Sequence, residues 1–261
     1  SFPFTNCSVW TYTPEDIMVV AASREIKDHE VAFIGTGLPM LAAYVAKARH
    51  APNVTMLFES GIVNPDPVHM ASGVGDFPLL YHAPKVVGLS YVFGLLQRGK
   101  VDLGFLGAAE VDQYGNINST VIGDYHHPKV RLPRSGGSKD IASLAKRTVI
   151  SVAHQPRKFP ENLSYLTTPG HLDGAGARQR EGLKGNGPVR VITNLAVLGF
   201  DDETRKMKVE SVHPGVSLQE VIDKTGFELL VPDEVKETVP PTKEEVELIR
   251  RLDPKGIYIK K

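Results

Sequence analysis

The feature that most constrains the fold is an early alternation of short apolar segments, a glycine turn and a helical segment. "EVAFIG" (30–35) is typical of a buried strand, "GTGLP" (35–39) of a glycine turn, and "MLAAYVAKARH" (40–50) of a helix. "VTMLFES" (54–60) is then typical of a second strand. Because strands joined through a helix usually run parallel, this order predicts a βαβ unit and an α/β fold with a mainly parallel sheet.

The alternation continues along the chain. Further strands are expected at "KVVGLS" (85–90), "VDLGFLG" (101–107), "TVISVA" (148–153), "VRVITN" (189–194), "AVLGFD" (196–201) and "KMKVESV" (206–212). The last three are expected to pair antiparallel, because their connections are too short for a crossover. Helices are expected from Thr13 to about Lys27, over 217–226, and over 241–254, where Thr242 and Glu245 form a capping box. The chain has no internal repeat and no linker, so we predict a single domain spanning residues 1–261.

The composition excludes several classes of partner. The 30 Lys and Arg residues balance the 30 Asp and Glu residues, so no strong net charge favours a nucleic acid or a membrane surface. The single cysteine, Cys7, permits no internal disulfide and no zinc site built on several of the chain's own cysteines. No run is long and apolar enough to span a membrane, and the first residues lack the pattern of a signal peptide. We therefore expect a cytoplasmic protein with no nucleic-acid or membrane partner.

A carboxylate closes the second strand of the βαβ unit, in the order Glu59-Ser60-Gly61. Ligands of parallel sheets gather beyond the carboxyl ends of the strands, where a partly desolvated carboxylate can act as a nucleophile or a base. Gly61 permits a sharp turn that leaves backbone N–H groups accessible. The alternative is an ordinary solvated acid at a strand end, and the tripeptide alone favours that interpretation.

Two glycine-containing turns are further candidates. Gly35 and Gly37 precede a helix whose free N–H groups can hold an anion, although the match to phosphate-binding motifs is weak. The alternative is a glycine turn required for close packing. Gly107 and Ala108 end a strand with small residues, which suits backbone N–H donors to an oxyanion. Residues 112–116 have the composition of a plain hairpin turn.

Residues 107–137 form a long polar and glycine-rich segment, of the kind that is functional or disordered in a compact domain. Its aromatic and β-branched residues argue against disorder. "DYHHPKVR" (124–131) contains two adjacent histidines, but adjacent side chains diverge and no second pair follows, so we predict no metal site. Lys129, Arg131 and Arg134 can instead hold a carboxylate or a phosphate.

Taken together, these segments resemble the B (beta) subunit of the glutaconate CoA-transferases, within family I of the CoA-transferases. The resemblance runs nearly end to end, through "GTGLP", "ESG", "GAAEVDQYGNINSTVIGDYHHPK", "SGG", "TTPGHLDG" (167–174), "TGFEL" and "IRRLDP". The long middle segment is very specific, whereas "ESG" alone is not. The resemblance implies an α/β fold of the CoA-transferase type, with a mainly parallel open sheet, helices on both faces, and an outline shared with sugar-phosphate isomerases.

The resemblance also implies an enzyme that moves CoA between an acyl-CoA and a short mono- or dicarboxylic acid, such as glutaconate. The family's catalytic glutamate lies in "ESG", at Glu59 here, and it forms a covalent glutamyl-CoA thioester. Gly35, Gly37, Gly107 and Ala108 are then candidates for binding the oxyanion or CoA. Coenzyme A is a substrate, and no metal or organic cofactor is expected. A separate A subunit is expected to complete the site, in a hetero-tetramer or a hetero-octamer.

Two alternatives stay open. In some relatives of the same superfamily this glutamate is replaced, and the protein hydrolyses or decarboxylates an acyl-CoA. The presence of Glu59 favours transfer but does not rule out a hydrolase. A non-catalytic module that binds a sugar phosphate or an effector is the other alternative, because fold does not fix function.

Overall fold

The computed structural model describes residues 11–35, 37–67 and 70–259. Cys7 and Thr36 lie outside the described residues. The helices are α1 (Pro14–Arg24), α2 (Leu38–Arg49), α3 (Leu89–Gln97), α4 (Ser138–Leu144), α5 (Ala177–Arg180), α6 (Leu218–Asp223) and α7 (Lys243–Leu252), with 3₁₀ turns at Phe77–Leu80 and Pro156–Lys158. None of the helices within the described ranges is long and apolar enough to cross a membrane.

The strands are short. They are β1 (Val31–Phe33), β2 (Thr55–Leu57), β3 (Ile62–Val63), β4 (Lys85–Val86), β5 (Leu103–Gly107), β6 (Glu110–Val111), β7 (Ile117–Asn118), β8 (Val121–Gly123), β9 (Pro128–Arg131), β10 (Arg147–Ser151), β11 (Pro188–Ile192), β12 (Ala196–Phe200), β13 (Met207–Val212) and β14 (Lys236–Glu237). Ten of them form one sheet, in the order β14-β13-β12-β11-β10-β5-β1-β2-β3-β4.

The centre of this sheet is parallel and its flanks are antiparallel, apart from the parallel edge pair β13–β14. The pairs β1–β2, β1–β5, β5–β10 and β10–β11 are parallel, which confirms the βαβ prediction. The pairs β11–β12 and β12–β13 are antiparallel, as their short connections predicted. Strand β3 was not predicted. It pairs antiparallel with β2 and with β4, so the chain turns back immediately after Glu59.

Helices cover both faces of the sheet, as predicted. One face packs against α1, α2 and α7, through a buried cluster that includes Val19, Leu41 and Ile249. The other face packs against α3 and α4, through a cluster that includes Val92 and Ile141. Burying apolar area on both faces is what stabilises a parallel sheet.

Local capping sets where the helices begin. The Thr13 hydroxyl accepts the Asp16 N–H at 3.2 Å, and the Asp16 carboxylate accepts the Thr13 N–H at 2.8 Å. Thr242 and Glu245 make the same reciprocal pair at the start of α7, which confirms the predicted capping box. Helix α7 buries Val246 and Ile249, and its opposite face is solvated.

The long segment after β5 is folded into two hairpins. Strands β6 and β7 pair antiparallel around residues 112–116, which confirms the predicted turn there. Strands β8 and β9 form the second hairpin. The segment has no long apolar period because each strand is only two to four residues long.

Candidate active site

Glu59 lies in a tight turn between β2 and β3. The Gly61 N–H donates to the Phe58 carbonyl at 2.9 Å, and the Phe58 N–H donates to the Ile62 carbonyl at 3.0 Å. Gly61 has φ +93°, and a Cβ at this position would lie 1.9 Å from the Val87 carbonyl oxygen. Only glycine fits both constraints, so the turn is fixed by the chain that packs behind it.

The neighbouring Ser60 anchors the turn from its other side. Its hydroxyl donates to the Val74 carbonyl at 2.6 Å. The chain therefore holds the backbone of the turn through hydrogen bonds on two segments, 58–62 and 74. Glu59 itself is half-buried, and its carboxylate makes no hydrogen bond or ion pair with any residue that the structure describes. The backbone of the turn is therefore held in place, while the Glu59 carboxylate has no partner among the described residues.

The Glu59 carboxylate faces the two glycines of the "SGG" segment. A Cβ built on Gly137 would lie 3.3 Å from Glu59 Oε1, and one built on Gly136 would lie 3.9 Å from the same atom. At Gly137 it would also meet the Phe93 ring at 2.6 Å. Phe93 in turn packs edge-to-face on Phe33, with ring centroids 5.7 Å apart. Gly137 therefore lies between the Phe93 ring and the Glu59 carboxylate, and a larger side chain there would collide with the ring.

The N–H groups of Gly136 and Gly137 donate to no described residue. Their nearness to Glu59 was not predicted from the sequence, where "SGG" served only as part of a resemblance. The available signal was a pair of glycines directly before a helix with no side chain to cap it, since Gly137 is the N-cap of α4. Such a pair leaves backbone donors exposed where a side chain would otherwise cover them.

Gly35 and Gly37 follow β1, one strand away from Glu59. A Cβ on Gly35 would lie 3.3 Å from the Phe105 carbonyl oxygen, which is a tight contact between β1 and β5. Gly37 is the N-cap of α2, with φ +91° and no side-chain cap. Both positions therefore have a conformational or packing reason to be glycine, which is the alternative that the sequence left open.

Gly107 and Ala108 lie at the end of β5 and line a cavity of 390 Å³. The cavity also contacts Leu38 and Pro39 at the start of α2 and Lys158, whose pKa is lowered by burial and by Arg157. The Ala108 N–H donates to no described residue. Glu59 is not part of this lining.

The predicted site residues share one edge of the sheet, but Glu59, Gly35 and Gly37 do not line the cavity of Gly107 and Ala108. Glu59 follows β2 and Gly107 ends β5, with β1 and Gly35 between them. From β1 the chain continues outward to β2, whereas from β5 it continues to β10 on the other side. Such a reversal of strand order is where α/β sheets open a crevice at their carboxyl edge.

The segment "GAAEVDQYGNINSTVIGDYHHPK" (107–129) contains a buried polar network. Glu110, 5% exposed, accepts hydrogen bonds from Asn118 Nδ2 at 2.7 Å and from the Ser164 N–H and hydroxyl, both at 2.9 Å. Asn118 Nδ2 also donates to the Val121 carbonyl at 2.6 Å, and Asn118 Oδ1 accepts the Thr120 N–H at 2.9 Å. Each member is satisfied by another, so this part of the motif is structural.

A second part of the network ties the 112–116 turn to the "TTPGHLDG" segment. Asp112 accepts from the Tyr114 N–H and from the N–H and side-chain amide of Asn116. Asn116 then binds backbone groups of Gly170 and Leu172. Burial raises the pKa of Asp112, although the hydrogen bonds from Asn116 and the Tyr114 N–H oppose that rise.

The adjacent histidines form a turn. Asp124 Oδ1 accepts the N–H groups of His126 and His127 at 2.8 and 2.7 Å, and both histidines are exposed. Across the residues that the structure describes, no group of three or more His, Cys, Asp or Glu side chains is arranged to hold a metal ion.

Comparison with known proteins adds to this geometry. Residues 16–224 match the sequence model of a family described as Coenzyme A transferase. The B subunit of the 3-oxoadipate CoA-transferase of Pseudomonas knackmussii is 42% identical over 243 residues, covering 93% of this chain and 94% of that protein. The B subunit of the glutaconate CoA-transferase of Acidaminococcus fermentans is 38% identical over 255 residues, covering 95% of each. The crystal structure of glutaconate coenzyme A-transferase from A. fermentans matches with a TM-score of 0.91 at 36% identity, covering 96% of this chain and 98% of that chain.

Proposed function

The chain belongs to the coenzyme A transferase family, as the B subunit of a family I enzyme, and from that premise we propose that Glu59 is its covalent nucleophile. The observation that carries the proposal is that the Glu59 carboxylate has no partner among the described residues. It is half-buried on a rigid turn beside free backbone N–H groups, and no described residue pairs with it. Carboxylates that serve only structure are hydrogen-bonded, as Glu110 is.

The proposed reaction has two exchanges at Glu59. One carboxylate oxygen attacks the thioester carbonyl of an acyl-CoA, which gives an acyl–glutamyl anhydride and CoA thiolate. The thiolate attacks the glutamyl carbonyl, releasing the first carboxylic acid as its carboxylate and leaving a glutamyl-CoA thioester. An incoming carboxylate then reverses both steps and leaves as the new acyl-CoA. Covalent catalysis divides one difficult exchange into easier steps.

Backbone donors near Glu59 suit the charge that develops in these steps. Each attack produces a tetrahedral oxyanion, which needs N–H donors within hydrogen-bond distance. We propose Gly136 and Gly137 for this role, because they border the Glu59 carboxylate and their N–H groups are free of described partners. Gly107 and Ala108 were the sequence-based candidates. Their cavity lies elsewhere on the same sheet edge, and we propose that it holds part of the CoA chain beside Lys158.

A partner subunit is part of the proposal. The two relatives above are each named as the B subunit of a CoA-transferase, which supports an A subunit for this chain. We propose that the A subunit covers Glu59 and excludes water, because water would hydrolyse the anhydride. Two or four copies of each subunit are proposed for the assembly, in the cytoplasm and without a metal or organic cofactor.

The proposed acyl substrate is a short dicarboxylic acid. The relatives are named for glutaconate and for 3-oxoadipate, which both carry a second carboxylate at the far end of a short chain. The relative named for 3-oxoadipate has the higher identity of the two, 42% against 38%. We therefore propose the class of dicarboxylic acyl-CoA and not glutaconate alone.

A trapping experiment tests the proposed function. The chain is co-expressed with its A subunit, incubated with glutaconyl-CoA or 3-oxoadipyl-CoA, reduced with borohydride, and mapped by mass spectrometry. A reduced glutamyl residue at position 59 is the expected result, and Glu59→Gln is the matched control that should carry no adduct. Substrate loss with no adduct on the native protein would favour a hydrolase or decarboxylase. No adduct and no turnover would favour a binding module.

A further inference from the structure

A second cavity adjoins the "SGG" segment, and two basic side chains that line it have no partner among the described residues. It has a volume of 520 Å³, and its lining includes Arg134, Ser135, Lys139, Tyr165 and Glu181. Ser135 belongs to this lining, and the next residue, Gly136, borders the Glu59 carboxylate. We call this space the Arg134 cavity.

The structure separates three basic residues that the sequence grouped together. Arg131 lies over the Tyr125 ring, 4.8 Å from its centroid, and donates to the Tyr125 carbonyl. Lys129 is exposed on β9 and does not line the cavity. Arg134 does line it, and its guanidinium makes no hydrogen bond or ion pair with any residue in the described ranges. Arg134 is therefore the one of these three that is available to a ligand in the cavity.

The backbone of Arg134 is held in an unusual conformation. Its φ is +74°, a region that residues other than glycine, asparagine and aspartate seldom adopt. Ser119 fixes it there, because the Arg134 N–H donates to the Ser119 carbonyl at 2.8 Å and the Ser119 hydroxyl donates to the Arg134 carbonyl at 2.9 Å. Strained backbone that the surroundings enforce is found preferentially at functional sites.

Lys139 supplies a second positive charge in the first turn of α4, two residues beyond Gly137. Its ammonium group also lacks a hydrogen bond or ion pair with the described residues. One carboxylate, Glu181, lines the same cavity, but it forms no ion pair with either of these basic side chains. The cavity lining is thus positive by one charge, two cations against one anion.

The distance to Glu59 suits a short acyl group. Arg134 precedes Gly136 by two residues, and two residues of extended chain span at most about 7 Å. Gly136 would bring a Cβ to 3.9 Å from the Glu59 carboxylate. An acyl group whose first carbon is bound at Glu59 can therefore place its far end within reach of Arg134, which lines the cavity beside this segment.

We propose that Arg134 and Lys139 bind the distal carboxylate of a dicarboxylic acyl group and thereby select dicarboxylic over monocarboxylic substrates. This inference rests on the proposed function of Glu59. A guanidinium and an ammonium on one cavity wall are suited to a carboxylate, since the guanidinium can donate two parallel N–H bonds and the ammonium can add a third. The CoA phosphates are the other anions in the reaction, and the test distinguishes them from the carboxylate.

The test uses the complete A–B enzyme with Arg134→Asn and Lys139→Met. Asparagine tolerates a positive φ, so Arg134→Asn removes the charge without adding backbone strain. Lys129→Met is the matched control, because it removes a nearby exposed charge outside the lining. Glutaryl-CoA and pentanoyl-CoA, which differ only in the distal carboxylate, are compared in single turnovers with enzyme in excess. Inhibition by desulfo-CoA measures the affinity for CoA alone.

Arg134→Asn should slow acyl transfer from glutaryl-CoA about 10- to 100-fold, as expected for the loss of hydrogen bonds to a charged group. Transfer from pentanoyl-CoA and the inhibition constant of desulfo-CoA should stay within about twofold of the native values, as should every value for Lys129→Met. Lys139→Met should reproduce the same pattern with a smaller loss.

Three results would overturn the inference. An equal loss on both acyl-CoA substrates would indicate a structural role, and weaker desulfo-CoA inhibition would assign the cations to the CoA phosphates. An unchanged preference for glutaryl-CoA in both variants would show that Arg134 and Lys139 do not bind the distal carboxylate. Failure of the proposed function itself is separately visible, because the native enzyme would then form no adduct at Glu59.

Discussion

Glu59 and Glu110 are the same residue in two differently built regions. Glu110 is 5% exposed, and donors from Asn118 and Ser164 surround its carboxylate. Glu59 is half-buried, and its region fixes only the backbone, through Gly61 and Ser60. Under the proposed function, the difference separates a carboxylate that stabilises the fold from one that reacts. A carboxylate that is fully hydrogen-bonded stabilises the fold, whereas one whose partners are withheld is free to form a bond with a substrate.

The largest expected effect is that of Glu59→Gln on activity. Glutamine keeps the shape of the side chain but cannot attack a thioester, so transfer should fall by about 10³-fold or more. The melting temperature should change little, because no described residue pairs with the native carboxylate. Steady-state transfer by the complete A–B enzyme and thermal unfolding of the same preparation are the two measurements. Turnover near the native rate would remove Glu59 from the mechanism.

The same substitution at Glu110 should give the opposite result. All three of its partners are donors, and glutamine offers them one oxygen in place of two. One buried donor is then unpaired and the bonds to a charged acceptor are lost, which costs about 2–4 kcal/mol of unfolding free energy. Urea denaturation measures that loss. Activity per folded molecule should remain near the native value, and a selective loss of activity would contradict the division between the two regions.

The sequence predicted the local features of these two regions but not their long-range contacts. The strand before Glu59, the crossover through α2 and the caps at Thr13 and Thr242 all depend on residues near one another in the chain, and all were predicted. The nearness of Gly136 and Gly137 to Glu59 is a contact with a turn more than 70 positions earlier, and local patterns cannot report such a contact. Strand β3 was missed for a similar reason, because two residues are too few to show a period.

The buried network also eluded prediction. Asn116 was interpreted as a residue of the 112–116 turn, which fits its neighbours in sequence, and no role was predicted for Asn118. Their side chains in fact bind groups more than 40 residues away, at Thr167 and Gly170. A polar residue inside a compact fold and one on its surface have the same sequence signature, and only the tertiary structure separates them.

Acidic pH should lower the free energy of unfolding, because it protonates the buried His171 beside the 112–116 turn. His171, 4% exposed, donates its backbone N–H to the Tyr114 carbonyl, and burial is the largest cause that lowers its pKa to about 4. In the unfolded chain its pKa lies near 6.5, so between these values the unfolded state binds a proton that the folded state does not. The contribution of His171 to the free energy of unfolding is fully present above pH 6.5. It falls as the pH decreases, by about 2 kcal/mol at pH 5.

The check is urea denaturation at pH 7 and pH 5 for the native protein and His171→Gln. The variant should be less stable at pH 7, yet it should lose about 2 kcal/mol less than the native protein on acidification, because glutamine does not titrate. His126→Gln is the control, since His126 is exposed, and it should follow the native curve. Identical pH dependence in the native protein and His171→Gln would show that this histidine does not set the acid limit.

Glu59→Asp is the smallest expected change and the most informative about the turn. Aspartate can still form an anhydride and a thioester, but its carboxylate is one methylene further from Gly136 and Gly137. If the rigid turn and these glycines align the nucleophile, the shorter side chain should lose alignment and leave the anhydride open to water. The ratio of acyl-CoA hydrolysis to CoA transfer should then rise several-fold, with hydrolysis measured as free CoA thiol and transfer as the new acyl-CoA formed from the acceptor acid. An unchanged ratio would show that the exclusion of water depends on the A subunit and not on the reach of Glu59, because the turn itself is unaltered in this variant.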